Sequence, residues 1–118
     1  MQSDFLVDTH TSGHAATLTV SGELDLIASP VLERALAPLL DSDVELIVID
    51  LRGLEFMDST GLHVLIQAQQ RMHDAGRRLT LVRAPKQVQR LFDLTGLTDG
   101  LTIVDSPDDA LEVDQAPG

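Results

Sequence analysis

The stretch from Val44 to Leu65 reads VELIVIDLRGLEFMDSTGLHVL and decides the fold. It opens with the unbroken apolar run Leu46-Ile47-Val48-Ile49, which is typical of a parallel strand covered by helices. It closes with the start of a segment in which apolar residues recur at helical spacing, from Leu62 and Leu65 onwards. A strand, a tight loop and a helix in this order predict an α/β fold.

The loop between this strand and this helix ends in Asp58-Ser59-Thr60-Gly61. Asp58 precedes the helix and is expected to cap it, while Gly61 is expected to let the helix start pack closely against a neighbour. Unpaired backbone N–H groups and the helix dipole favour negative charge at such a position. Ser59 is therefore a candidate phosphate acceptor, although serine and threonine also occur at helix starts for hydrogen bonding alone. Thr60 is interpreted mainly as structural.

Turn and capping residues divide the rest of the chain into short elements. Residues 5–11 and 16–20 alternate apolar and polar side chains around a turn, which predicts a β-hairpin. Ser29-Pro30 is expected to provide the N-cap and first residue of a helix that Pro38 kinks or ends. Gln115 to Gly118 is expected to be disordered.

The predicted order of elements is ββαβαβαβα, a mixed β-sheet with an N-terminal hairpin and helices. We assign one domain to residues 4–113 and a disordered tail to residues 114–118. Because the carboxyl ends of parallel strands share one edge of a sheet, the predicted loops 22–25, 53–58 and 83–85 are expected to lie together. Ser59 and Thr60 are expected on that same edge.

The composition narrows the possible partners. The chain has 118 residues, nineteen Asp or Glu against eight Lys or Arg, and a net charge of −11. This charge disfavours nucleic acid and an anionic membrane surface, and no segment resembles a signal peptide or a membrane span, so we expect a cytoplasmic protein. Six of the eight cations lie between residues 71 and 90. They form either a solvated surface or a basic patch for an acidic partner.

Catalytic and metal-binding motifs are not found in the sequence. There is no cysteine, no phosphate-binding glycine loop, and no nucleophile–base pair with a third orienting group. His10 and His14 flank a turn without carboxylate support, so no metal or cofactor is expected. Asp50 at a strand end suggests a phospho-aspartate receiver, but the acidic pair is missing and Lys86 lies at a helix start. We therefore predict that the chain is not an enzyme.

Three motifs in order resemble the STAS domain, most closely the bacterial anti-sigma-factor antagonists. They are Gly22-Glu23-Leu24-Asp25-Leu26, the strand end Val48-Ile49-Asp50-Leu51, and the segment from Phe56 to Leu62. In that family the serine after the aspartate is phosphorylated by a serine-kinase anti-sigma factor. The resemblance implies that Ser59 is this serine. It also implies that the unmodified protein binds the anti-sigma factor and frees a sigma factor, and that a metal-dependent serine phosphatase resets the modified form.

The resemblance also implies a partner-binding surface around Ser59. We assign to it Glu23, Asp25, Met57, Asp58, Thr60, Gly61 and His63. Leu24, Phe56 and Met57 are also interpreted as core or loop-packing residues. His63 stands where the family usually has glycine, one helical turn after Ser59, and is expected to affect kinase docking. The alternative function is a non-switching STAS subunit of a lipid-transport, transporter or signalling complex.

Overall fold

The computed structural model describes residues 4–96 and 100–115, and of residues 112–115 it describes the backbone only. The elements are β1 (Leu6–Ser12), β2 (Ala15–Leu24), α1 (Ser29–Leu40), β3 (Leu46–Met57), α2 (Ser59–Asp74), β4 (Arg78–Val82), α3 (Lys86–Thr95), β5 (Thr102–Val104) and α4 (Pro107–Gln115). The predicted order ββαβαβαβα is confirmed.

The five described strands form one sheet in the order β1-β2-β3-β4-β5. β1 and β2 are an antiparallel hairpin, and every later neighbour is parallel. From β2 onwards, each helical connection leads to the strand next in the sheet, always in the same direction across the sheet. Because such crossovers are right-handed, α1, α2 and α3 all fall on one face of the sheet. The carboxyl ends of β2, β3 and β4 consequently meet at one edge, as predicted.

The main core lies between this face and the three helices. It includes Ile47 and Ile49 from β3, Leu36 from α1, Leu65 from α2 and Phe92 from α3, all almost fully buried. A smaller cluster on the opposite face joins Leu46, Val48 and Val82 to Ala110 of α4. β3 is thus apolar on both faces because helices cover both, which explains its unbroken hydrophobic run.

The strands beside the site are longer than the sequence predicts. Loop 22–25 was expected after β2, yet β2 continues to Leu24, and β3 continues to Met57 through the predicted loop 53–58. The pairing of the two strands shifts register twice on the way, after Thr19 and after Gly22, and each time β3 contains one residue more than β2. Gly53 is required there, since a Cβ would lie 2.9 Å from the Val20 carbonyl oxygen.

The start of α1 differs in one residue from the prediction. Ala28, not Ser29, is the N-cap, and the Ser29 hydroxyl donates to the Asp25 carbonyl oxygen at 2.8 Å. The Asp25 carboxylate provides the local cap instead, accepting from the N–H groups of Ile27 at 3.1 Å and Ala28 at 2.9 Å. A turn that begins four residues earlier therefore replaces the capping role predicted for Ser29.

Pro38 lies inside α1, which continues to Leu40. Arg77 stabilises this helix end, because its guanidinium donates to the carbonyl oxygens of Leu39, Leu40 and Val44 at 2.7–2.9 Å. The bonds to Leu39 and Leu40 supply donors to the C-terminal carbonyl groups of α1, and the bond to Val44 ties the helix end to the segment before β3. At the other end of the chain, α4 includes residues 114 and 115, which we had predicted as tail, and residues 116–118 lie outside the described part.

The basic window between residues 71 and 90 is largely used within the fold. Arg71 pairs with Asp41 at 3.2 Å, Arg83 pairs with Asp105 at 2.9 Å, and Arg77 holds α1. Arg78 also has an interaction partner. These contacts favour the interpretation of a solvated structural surface over that of an open basic patch.

Candidate functional site

Asp58 caps α2, as predicted. Its backbone is extended, and its Oδ1 accepts hydrogen bonds from the N–H groups of Thr60 at 2.9 Å and Gly61 at 3.2 Å. Two of the N–H groups that a helix start leaves unpaired are thereby satisfied. The consequence for Ser59 is that any phosphate there would share the helix start with a carboxylate.

The same carboxylate also holds the segment that follows β2. Asp58 Oδ2 accepts from the Leu26 N–H at 3.2 Å, and the Asp58 N–H donates to the Leu24 carbonyl oxygen at 3.2 Å. The β2–α1 segment and the start of α2 are therefore joined through one residue. Asp25, next to Leu26, organises the turn into α1 and is half-buried.

Ser59 is the first residue of α2 and is exposed, which leaves its hydroxyl accessible to a modifying enzyme. Thr60 is half-buried, in agreement with its structural interpretation. His63 is exposed and lies one helical turn after Ser59. Glu23 is exposed at the end of β2, where it pairs in register with Phe56. The structure therefore brings Glu23, Ser59 and His63 to one edge.

Two of the predicted partner-binding residues do not present side chains to a partner. Met57 is 5% exposed, and Gly61 is buried against Leu24. The core interpretation of Leu24 and Met57 is confirmed. β3 extends to Met57 and turns that side chain into the core, so Met57 and Gly61, both predicted to bind the partner, lie beneath the surface. Both residues pack against or pair with Leu24 at the end of β2.

An exposed apolar patch at this edge was missed by the sequence analysis. It consists of Leu26, Ile27 and Phe56, which are 67%, 81% and 47% exposed. Phe56 had been interpreted as core or loop packing, which is wrong. Two adjacent apolar residues between Asp25 and the Ser29-Pro30 helix start were the available signal, since no helical or strand period accounts for them. Grouped apolar exposure of this kind often marks an interaction surface.

Asp50 lies below this edge and serves the structure of β3. It is buried, and Arg52 donates to both of its carboxylate oxygens at 2.8–3.2 Å. Burial raises the pKa of Asp50, but the Arg52 hydrogen bonds and positive charge outweigh it and hold that pKa below its ordinary value. The pairing with Arg52 gives this carboxylate a structural role at the point where β3 leaves its regular pairing.

Neither a cluster of metal-ligating side chains nor a membrane-spanning helix is found in the described part of the chain. Across residues 4–96 and 100–115 no three metal-ligating side chains come together. Within the same ranges no helix combines the length and apolarity that crossing a bilayer requires.

A family model for the STAS domain matches residues 7–110. The chain belongs to the STAS domain family. Among curated relatives of this STAS domain, an anti-sigma-B factor antagonist of Bacillus subtilis (strain 168) is 33% identical over 97 residues, which are 82% of this chain and 88% of the relative. The resemblance identified from the three sequence motifs is thus confirmed.

Solved structures show the same fold. An anti-sigma factor antagonist from Mycobacterium paratuberculosis aligns with a TM-score of 0.87 and 26% identity over 96% of both chains. The anti-sigma factor antagonist SpoIIAA in its unphosphorylated form aligns with a TM-score of 0.80 and 18% identity over 96% of this chain and 100% of that one.

Proposed function

We propose that this STAS domain is an anti-sigma-factor antagonist that phosphorylation of Ser59 switches off. The unmodified form binds a serine-kinase anti-sigma factor, which then releases its sigma factor. Phosphorylation of Ser59 by that kinase ends the binding, and a metal-dependent serine phosphatase restores it. The observation that carries the proposal is the exposed Ser59 between the capping Asp58 and an exposed apolar patch. The curated relatives named as anti-sigma-B factor antagonists support it.

The apolar patch and its surroundings fit a protein partner. Leu26 and Ile27 offer apolar surface directly beside the Asp58 cap, and Glu23 and Glu55 are exposed on the strands that end there. A complementary partner surface would combine apolar side chains with basic ones. The net charge of −11 would also attract such a partner at low ionic strength.

A phosphate on Ser59 would oppose this binding by charge. A phosphoserine carries about −1.5 to −2 charges near neutral pH. Asp58 already occupies two N–H groups of the helix start, so the phosphate would add to an existing negative charge. Burying a mispaired charge at an interface costs about 2–5 kcal/mol, which lowers affinity by roughly 30-fold or more. Because Ser59 is exposed, the fold itself is expected to remain unchanged.

The test is phosphorylation by the purified serine-kinase anti-sigma factor of the same organism with ATP, read by intact mass and peptide mapping. We expect one phosphate on Ser59, none on Ser59→Ala, and normal modification of Thr60→Ala. Ser59→Ala should still bind the anti-sigma factor, because Asp58 and not Ser59 caps α2. A phosphate mapped to Thr60 would contradict the assignment. If the protein is not phosphorylated and forms no complex with the kinase, the result would favour the alternative function, a non-switching STAS subunit.

A further inference from the structure

Among the described residues, β1 forms an open edge of the sheet. It pairs with β2 on one side and ends the strand order on the other. Its seven residues, LVDTHTS, contain no proline or lysine, and its pairing with β2 is free of register shifts. Prolines, lysines and bulges commonly protect exposed edge strands, because the unpaired N–H and C=O groups of an edge can bind another strand. β1 lacks all three. The opposite edge, β5, has only three residues.

The sequence of β1 is complementary to itself in the antiparallel direction. A two-fold axis normal to the sheet, midway between two copies of β1, can place Thr9 opposite Thr9 of the second copy. Asp8 then faces His10 of the second copy, and His10 faces Asp8. An imidazole N–H donates well to a carboxylate, and opposite pairs of this kind stabilise antiparallel strands. Leu6 would face Ser12, so all seven residues of the strand take part.

Neighbouring registers lack this complementarity. The outward N–H groups of a strand occur at every second residue, so only registers that pair residues of equal parity form hydrogen bonds. Centring the axis on Asp8 would place two carboxylates opposite each other. Centring it on His10 would place two imidazoles opposite each other and leave Asp8 facing Ser12. The register centred on Thr9 is therefore the favoured one.

We propose that this chain forms an antiparallel homodimer through β1, with Thr9 at the two-fold axis. Within one copy the cross-strand neighbours of Asp8 and His10 are Thr19 and Thr17, and both Asp8 and His10 are exposed. Their charge and hydrogen-bonding capacity are thus available to a second copy. Ser59 follows β3, which β2 separates from β1, so the dimer leaves the proposed switch surface open. The interface is small, and we expect weak, concentration-dependent association.

Sedimentation velocity over concentrations up to about 0.5 mM tests the association. We expect a dimer in the parent and at least about a tenfold higher dissociation constant for His10→Asp, which opposes two carboxylate pairs. The exchange Asp8→His with His10→Asp restores every pair and should restore the dimer. His73→Asp, an equal change at an exposed site on α2, should leave association unchanged. Circular dichroism confirms that each variant is folded.

Three outcomes would overturn the proposal. They are a parent that stays monomeric, an undiminished dimer in His10→Asp, or a folded exchange variant that fails to associate. A disulfide provides an independent measurement, because the chain has no cysteine of its own. Residues directly opposite in antiparallel strands have Cα atoms about 4.5–5.5 Å apart, within disulfide range. Thr9→Cys should therefore oxidise to a covalent dimer faster than Thr11→Cys, and equal rates would contradict the register.

Discussion

Gly61 packs so closely against Leu24 that a Cβ on Gly61 would lie 2.6 Å from Leu24 Cγ and 2.8 Å from the Leu24 carbonyl oxygen. The start of α2 therefore packs directly against the end of β2. The position of Ser59 depends on this contact, since Ser59 is two residues before Gly61 at the same helix start.

Gly61→Ala is expected to destabilise the fold by about 1–3 kcal/mol, because the backbone of Leu24 would have to move. This is the net loss that we expect after alanine's higher helix propensity, about 1 kcal/mol over glycine, has offset part of the steric cost. Urea unfolding measures the difference. Gly100→Ala is the control, since no atom of the described residues lies within 4 Å of a Cβ at that position. A Gly61→Ala variant as stable as the parent would contradict the close contact.

Asp58→Ala should cost about 1–2 kcal/mol, because α2 loses its cap and the Leu26 N–H loses its acceptor. Asp58→Asn keeps the oxygen that accepts from Thr60 and Gly61 but places an NH2 group where Oδ2 accepts from Leu26, so it should retain the cap and lose only the Leu26 bond. Amide hydrogen exchange reports both effects. We expect faster exchange at Leu26 and Thr60 in Asp58→Ala, and unchanged protection at Leu26 would show that the link to the β2–α1 segment is unimportant.

Ser59→Asp is expected to retain the fold and to bind the anti-sigma factor at least about tenfold more weakly, or roughly 1.4 kcal/mol. The physical reason is the added negative charge beside Asp58. Ser59→Asn has nearly the same size without the charge and should bind like the parent. Titration calorimetry with each variant separates charge from shape, and equal losses in both would argue for a steric effect.

His63→Gly is expected to change the rate of Ser59 phosphorylation by a few-fold and not to abolish it. His63 is exposed one turn after Ser59, so its interaction with a phosphate is screened and worth about 1 kcal/mol or less. Initial rates with the purified kinase provide the measurement. His73→Gly, also exposed on α2, controls for the lower helix propensity of glycine. Complete loss of modification in His63→Gly alone would make this residue essential for kinase recognition.

Asp50→Asn should reduce stability in a pH-dependent way. The pKa of Asp50 is below its ordinary value in the folded state, so its contribution is present above the unfolded pKa of about 3.9 and is lost as the pH falls through the folded pKa. We expect a loss in unfolding free energy of about 1 kcal/mol near pH 7, a modest value because Arg52 is partly exposed. The loss should shrink at low pH, where Asp50 of the parent becomes protonated. Asp41→Asn, which breaks the exposed pair with Arg71, should change little at either pH.

The sequence alone determined the order of the elements, the parallel strands and the cap at Asp58. The physical reason is that periodicity and capping act between residues a few positions apart, so Leu46 to Ile49 and Asp58 to Gly61 carry their structure locally. The accessible helix start at Ser59 follows from the same local rules.

Only the tertiary structure decided which side chains form the surface around Ser59. The bond from Leu26 to Asp58 spans 32 residues, and the burial of Met57 depends on its pairing with Leu24 in a strand whose register is shifted. The exposure of Leu26, Ile27 and Phe56 depends on the same arrangement. A local pattern contains no information on such contacts, because a register shift of one residue exchanges the buried and exposed faces of a strand.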